Sequence, residues 1–270
     1  MDLRREPIAP YLDRAEQALG VQLDRTSPLV KRRTIGCRSD RDTWVRLQRW
    51  AGERTNGLGI TGVREAAALR GVACPAWLRG TEWVDEDDPA VTWTVDETEP
   101  VTSPAVKLGG VLREDPGLSD EWWATLVRSF TALASQCTSR MAVRQEQVTA
   151  AVTRLWPDID AAVTEWTPAH ADMAWANVTA PDCWILDWED WGMAPRGYDA
   201  ACLWVHSLAV PGLAERVHAE FQRDLDTRSG RVSMLYVAAR ILAISDPVYV
   251  DNLHAPAKRW CEPIAASLRA

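Results

Sequence analysis

The sequence predicts an α+β chain of two unequal lobes, a small β-rich lobe followed by a larger, mainly helical one. Three observations carry this. Residues 1–97 mix short β-branched and aromatic runs with two helical patterns. A stretch rich in Pro, Thr, Glu and Gly, Asp96 to Gly110, reads as a linker. Beyond it, most of the chain repeats apolar residues at helical spacing, so the chain divides into 1–97 and 98–270.

In order along the chain, Arg5 to Leu19 carries Ile8, Leu12, Ala15 and Leu19 on one helical face. Leu29 to Ile35 and Thr43 to Leu47 read as strands, with a polar turn from Cys37 to Asp42. Gly36 is the single glycine between those strands, so a glycine-rich phosphate loop is poorly developed. Gly57, Gly59 and Gly62 mark a loop before a helix from Val63 to Arg70. Trp77 to Val84 and Ala90 to Val95 are strand-like, joined by an acidic turn, Asp85 to Pro89.

The second part opens with a helix capped by Ser119 and running to Gln136. Further helices are expected over Met141 to Trp156, Val217 to Leu225, Val232 to Ile244 and Ile264 to Leu268. Between them, Val178 to Thr179 and Trp184 to Leu186 read as two short strands around a Pro181-Asp182 turn, with polar residues clustered on both sides. Chemistry is sought there first, because functional groups concentrate on loops held by a scaffold.

Composition excludes several classes. The chain has 270 residues, 47% hydrophobic and 25% charged, which fits a packed globular protein rather than a disordered one. A net charge of -8 disfavours nucleic acid as a partner. No run of 18 apolar residues exists, so no membrane span is expected, and Met1 to Pro10 lacks the apolar core of an export signal. The six cysteines form no C-x-x-C pair, which argues against structural zinc and for reduced thiols in the cytoplasm. The fifteen tryptophans are read chiefly as core residues, with some able to wall a cleft.

The segment PAHADMAWANVTAPDCWILDWEDWGMAPRGYDAACLW holds His170, Asp172, Asn177 and Asp187. Transfer of a phosphoryl group to a hydroxyl needs a carboxylate at the acceptor, oxygen ligands for Mg²⁺ and positive charge on the phosphates. Asp172 can orient the hydroxyl and take its proton. Asn177 and Asp187 can supply a neutral and an anionic oxygen, enough for a cation that also takes phosphate oxygens.

The pattern H-x-D-x-x-x-x-N, then a strand ending I-x-D-W-E, then G-x-x-P-x-x-x-D, resembles the aminoglycoside phosphotransferase and choline kinase group, over about 35 residues. The resemblance implies a two-lobed, protein-kinase-like fold. It implies Asp172 as the catalytic aspartate, Asn177 and Asp187 as metal ligands, Asp199 as a buried brace for the catalytic loop, and His170 as a residue that holds that loop. It implies Mg²⁺ and ATP, or GTP, as cofactors. The sequence departs from the family in two places. Ala171 stands where glycine is usual, and its methyl group fits as long as the backbone stays out of positive φ. Arg46 stands where the family places a phosphate-binding lysine, with Glu65 as its best ion-pair partner.

Three functions fit. One is phosphorylation of a small hydroxyl-bearing molecule such as an antibiotic or natural product. A second is phosphorylation of Ser or Thr in a natural-product precursor peptide. A third is a pseudokinase that binds without turnover. A partner protein that completes the site is compatible with each.

Overall fold

The computed structural model describes residues 1–52 and 58–269; Gly57 lies outside the described residues. The chain forms two compact units, one comprising 1–68 with 74–102, the other 69–73 with 103–270.

In the first unit a five-stranded antiparallel sheet has the order β1-β2-β3-β5-β4. The strands are β1 (Leu29–Val30), β2 (Thr34–Arg38), β3 (Trp44–Ala51), β4 (Trp77–Val84) and β5 (Val91–Thr98). Alternation along the strands gives the sheet two distinct faces. Ile35, Cys37, Val45, Leu47, Val91, Trp93 and Val95 share one core with Leu12, Ala15 and Leu19 of helix α1 (Ala9–Leu19). That helix stops at Gly20, whose φ of 61° is the left-handed C-terminal cap glycine allows. Trp50 projects from the opposite face and donates from Nε1 to Thr94 Oγ1 at 3.0 Å. Its ring fills the space over Gly59, the first residue of α2 (Gly59–Ala66). So α2 begins and ends four residues before the sequence pattern placed it, at a glycine the pattern read as loop.

Two further expectations shift. Gly36 lies inside β2, paired with Arg46, and the Trp44 ring occupies the space a side chain there would need. The turn is 39–43, where Ser39 and Thr43 hydroxyls share a hydrogen bond of 2.6 Å. Asp96 to Thr98, read as linker, extend β5.

The second unit contains α3 (Asp120–Ala134), α4 (Gln145–Leu155), β6 (Trp166–Ala169), β7 (Gly192–Pro195), α5 (Tyr198–Ser207), α6 (Pro211–Glu220), α7 (Gln222–Leu225) and α8 (Arg228–Leu242). A short turn α9 (Pro247–Tyr249) passes through a π-type turn (Val250–His254) into α10 (Ala255–Arg269). Ser119 caps α3 by accepting from Trp122 N at 3.2 Å, as its sequence position predicts. The segment Leu69–Ala73 belongs to this unit, since Ala73 N donates to Ser129 Oγ at 3.1 Å and its carbonyl accepts from Ile185 N at 2.7 Å.

Helices α5 and α8 form the centre of this unit. From Ser229 to Ala239 every residue of α8 except Arg231 is buried, too many for a one-sided amphipathic helix. Gly230 permits the close approach of α8 to the preceding turn, because a Cβ there would overlap the Asp224 carbonyl oxygen. Gly230→Ala should therefore lower unfolding stability by about 2–3 kcal/mol, the scale of overpacking a tight contact, measured by urea denaturation.

Candidate active site

Two nested antiparallel pairings bring the polar residues together. The outer pair, β6 and β7, matches Ala169 with Gly192 and Thr167 with Ala194. The inner one is a single bridge between Val178 and Ile185, reinforced by Leu186 N donating to Asn177 O at 2.8 Å and Thr179 N donating to Trp184 O at 3.1 Å. The expected two-strand hairpin is thus only a bridge, and the longer pair lies outside it. The loop 170–177 leaves β6 and the loop 187–191 enters β7, so both loops start from one rigid ladder. The 104–107 segment adds to it. Ala105 bridges Thr179, Val106 N donates to Val178 O at 2.8 Å, and Lys107 N donates to Trp175 O at 3.0 Å. Residues read as linker therefore brace the 170–177 loop.

Within this frame Asn177 donates from Nδ2 to Asp172 O at 2.7 Å and to Asp172 Oδ2 at 3.2 Å. Asn177 is buried, whereas Asp172 reaches solvent at the rim of the loop. Asp187 comes just after the bridge in a left-handed conformation, φ 64°. Desolvation by the surrounding protein pushes the Asp172 carboxyl above the usual carboxylate range. His170 opposes this, Asp190 and Asp187 add to it, and the Asn177 hydrogen bond opposes it again. Asp172, Asn177 and Asp187 are thus one electrostatic cluster.

The loop is held from below by Asp199 at the start of α5, whose carboxylate accepts from His170 N at 2.6 Å through Oδ2 and from Ala171 N at 2.9 Å through Oδ1. Burial pushes Asp199 up, while His170 and the two backbone N–H groups pull it back. His170 is fully buried, donates from Nε2 to Leu186 O at 2.7 Å, and meets the Trp188 ring edge-on at 4.8 Å. One histidine therefore ties the Asp172 loop to the residue before Asp187.

Ala171 sits at φ 69°, in the region the sequence reading required it to avoid. The two Asp199 hydrogen bonds hold it there against a cost of about 1–2 kcal/mol for a residue bearing a Cβ. Ala171→Gly should raise unfolding stability by about 0.5–1 kcal/mol, since glycine's greater unfolded-state freedom offsets part of the relief, and leave turnover near wild type. Urea denaturation with parallel rate measurement checks this.

Sequence reasoning missed Arg140. Its buried guanidinium donates from Nε to Trp191 O at 2.8 Å and from Nη2 to Glu189 O at 2.9 Å, and lies 5.2 Å from the Trp191 ring centre. It fixes the backbone just after Asp187. A lone arginine before a helix gives no sequence signal of that kind.

The two remaining candidates lie in the first unit. Arg46 is partly buried on β3, directly opposite Asp96 of β5. Glu65 is exposed on α2 and accepts from Thr61 Oγ1 at 2.5 Å.

Residues 104–233 match the phosphotransferase enzyme family APH. The matched segment contains Asp172, Asn177, Asp187 and Asp199. No curated protein matches the sequence. Among solved structures, a thermostable mutant of aminoglycoside phosphotransferase APH(4)-Ia is 13% identical, covers 96% of this chain and 98% of its own, and has a TM-score of 0.55. The amicoumacin kinase hAmiN, in complex with AMP-PNP, Ca²⁺ and Ami, is 10% identical over 98% of this chain and 94% of its own, with a TM-score of 0.57. A choline/ethanolamine kinase family protein from Mesorhizobium loti is 17% identical over 92% of each chain, with a TM-score of 0.54. At these identities the likeness is one of fold, a two-lobed, protein-kinase-like α+β architecture.

Proposed function

We propose that the chain moves the γ-phosphate of a Mg²⁺-bound nucleoside triphosphate onto a hydroxyl group of a small molecule. The observation that carries it is the Asp172–Asn177 pair, coupled to Asp187 across nested hairpins, with the backbone around it braced.

The donor set fits Mg²⁺. The Asn177 amide nitrogen is committed to Asp172, which leaves its Oδ1 for a cation, and the Asp187 carboxylate is a second hard oxygen ligand. A divalent cation held there would neutralise phosphate oxygens and the charge that builds on the leaving diphosphate. The chain's own groups do the rest. Asp172 accepts a hydrogen bond from the acceptor hydroxyl and takes its proton as the new O–P bond forms and the bond to the β-phosphate oxygen breaks. Asn177 fixes the rotamer of Asp172. Asp199 and His170 keep the loop from relaxing, so positioning is in place before substrate arrives. Arg46 supplies positive charge to the phosphates, with a planar fork in place of a lysine point charge.

Incubation with γ-labelled ATP or GTP, Mg²⁺ and panels of aminoglycosides, macrolides, other hydroxyl-bearing natural products and hydroxyl-bearing peptides tests the reading. Label on a small molecule supports it. Label on peptides alone transfers the activity to the peptide class. Nucleotide binding without label on any acceptor or on water identifies a binding module instead.

A further inference from the structure

Asp96 is the direct cross-strand partner of Arg46 on one side and of Gly80 on the other. Directly opposite residues of antiparallel strands project from the same face, with Cβ atoms about 4.5–5.5 Å apart. Val45, Leu47 and Val95 alternate with this pair and pack into the core with α1, so Arg46 and Asp96 share the other face. Trp77 Nε1 donates to Asp96 Oδ1 at 2.8 Å, which orients the carboxylate. Gly80 leaves room for the carboxylate and for the β5 backbone, since a Cβ at that position would lie 2.6 Å from both Asp96 Oδ1 and Val95 O. Burial pushes the carboxyl up, and the Trp77 hydrogen bond, Arg64 and Arg46 draw it back. Arg64 has further neighbours of its own, with Glu82 at 3.7 Å and the Trp77 ring centre at 6.0 Å.

We propose that Asp96 is the positioning residue for Arg46, holding its guanidinium for the nucleotide phosphates from within the sheet. The proposal rests on the nucleotide-dependent function proposed for the chain. It differs from the sequence expectation, which looked for the partner on a helix and named Glu65. A carboxylate on the neighbouring strand is fixed by the ladder itself, so the phosphate-binding cation is set without any helix movement. The row Gly80, Asp96, Arg46 runs across three adjacent strands, and Trp77 closes it from β4.

Asp96→Asn tests this, because asparagine keeps an oxygen for Trp77 Nε1 and removes the charge that acts on Arg46 and Arg64, and the pairing with Arg46→Gln separates the two. Calorimetric affinities for Mg²⁺–ATP and for adenosine are compared in wild type and variant, alongside melting temperature. The expected result is a roughly tenfold loss for Mg²⁺–ATP, the scale of one charge-assisted hydrogen bond, with adenosine affinity and melting temperature unchanged. Combined with Arg46→Gln, the two losses should not add, as residues acting through one contact do not. An unchanged Mg²⁺–ATP affinity, an equal loss for both ligands, or a loss with Glu65→Gln and none with Asp96→Asn overturns the proposal while nucleotide binding by wild type stands. Failure of wild type to bind either ligand overturns the nucleotide reading, and this proposal with it.

Discussion

Asp172→Asn should lower turnover by about 10²–10⁴-fold, the range expected when a positioned acid–base group is lost, while Mg²⁺–nucleotide affinity stays within about twofold. The two effects separate because the proposed mechanism gives Asp172 the acceptor hydroxyl and leaves the nucleotide to other groups. Asparagine matches its shape and preserves the contact with Asn177, yet cannot take a proton. The same residue sets the acid limb of the rate profile. Only the ionised carboxylate accepts the proton, so activity falls as pH drops through its pKa. Desolvation by the surrounding protein holds that pKa above the usual carboxylate range, with His170 opposing and Asp190 and Asp187 adding to the rise. The limb should accordingly lie above the range of a free carboxylate and disappear in Asp172→Asn. Stopped-time assays across pH on both proteins measure it.

The second large effect is expected at Asp199, whose buried carboxylate acts on the loop backbone. Each carboxylate oxygen accepts from one backbone N–H of the 170–177 loop. In Asp199→Asn one acceptor becomes an NH₂ group pointed at an N–H. The loop loses a charge-assisted bond worth about 1.5–3 kcal/mol and gains a donor–donor conflict. Ala171, held at positive φ by these bonds, is then free to relax toward its preferred conformation. Turnover should fall about 10²-fold from displacement of Asp172 alone, with a parallel loss of unfolding stability. Combining Asp199→Asn with Ala171→Gly should restore part of the stability and little of the turnover, because glycine removes the strain without restoring the brace.

The reversal around the candidate site was legible in the sequence because it rests on turn residues in a fixed order. A chain reversal at Pro181-Asp182 folds the segment after Ile185 back beside the one before Val178, and Ser119 announced the start of α3. The parts that were not legible rest on backbone geometry and distant contacts. Trp166–Ala169 and Gly192–Pro195 are four-residue strands containing proline, too short and irregular to show alternation. Only tertiary pairing makes them the ladder that sets the site. The positive φ of Ala171 comes from Asp199, 28 residues away. Asp96 looked like the first residue of a linker because threonine, glutamate and proline come soon after it. Its place beside Arg46 depends on the β3–β5 register, which no local pattern encodes. Gly36 looked like a loop glycine, and the Trp44 ring explains it as a packing site.

The measurement that bears most directly on the central claim is calorimetric binding of ATP, with and without Mg²⁺, to wild type and Asp187→Ala. The account predicts that Mg²⁺ strengthens binding to wild type and that Asp187→Ala loses this gain while keeping weak, metal-independent binding. Full retention of the Mg²⁺-dependent gain in Asp187→Ala would contradict the assigned metal ligand, and absence of any ATP binding by wild type would contradict the phosphotransferase mechanism itself.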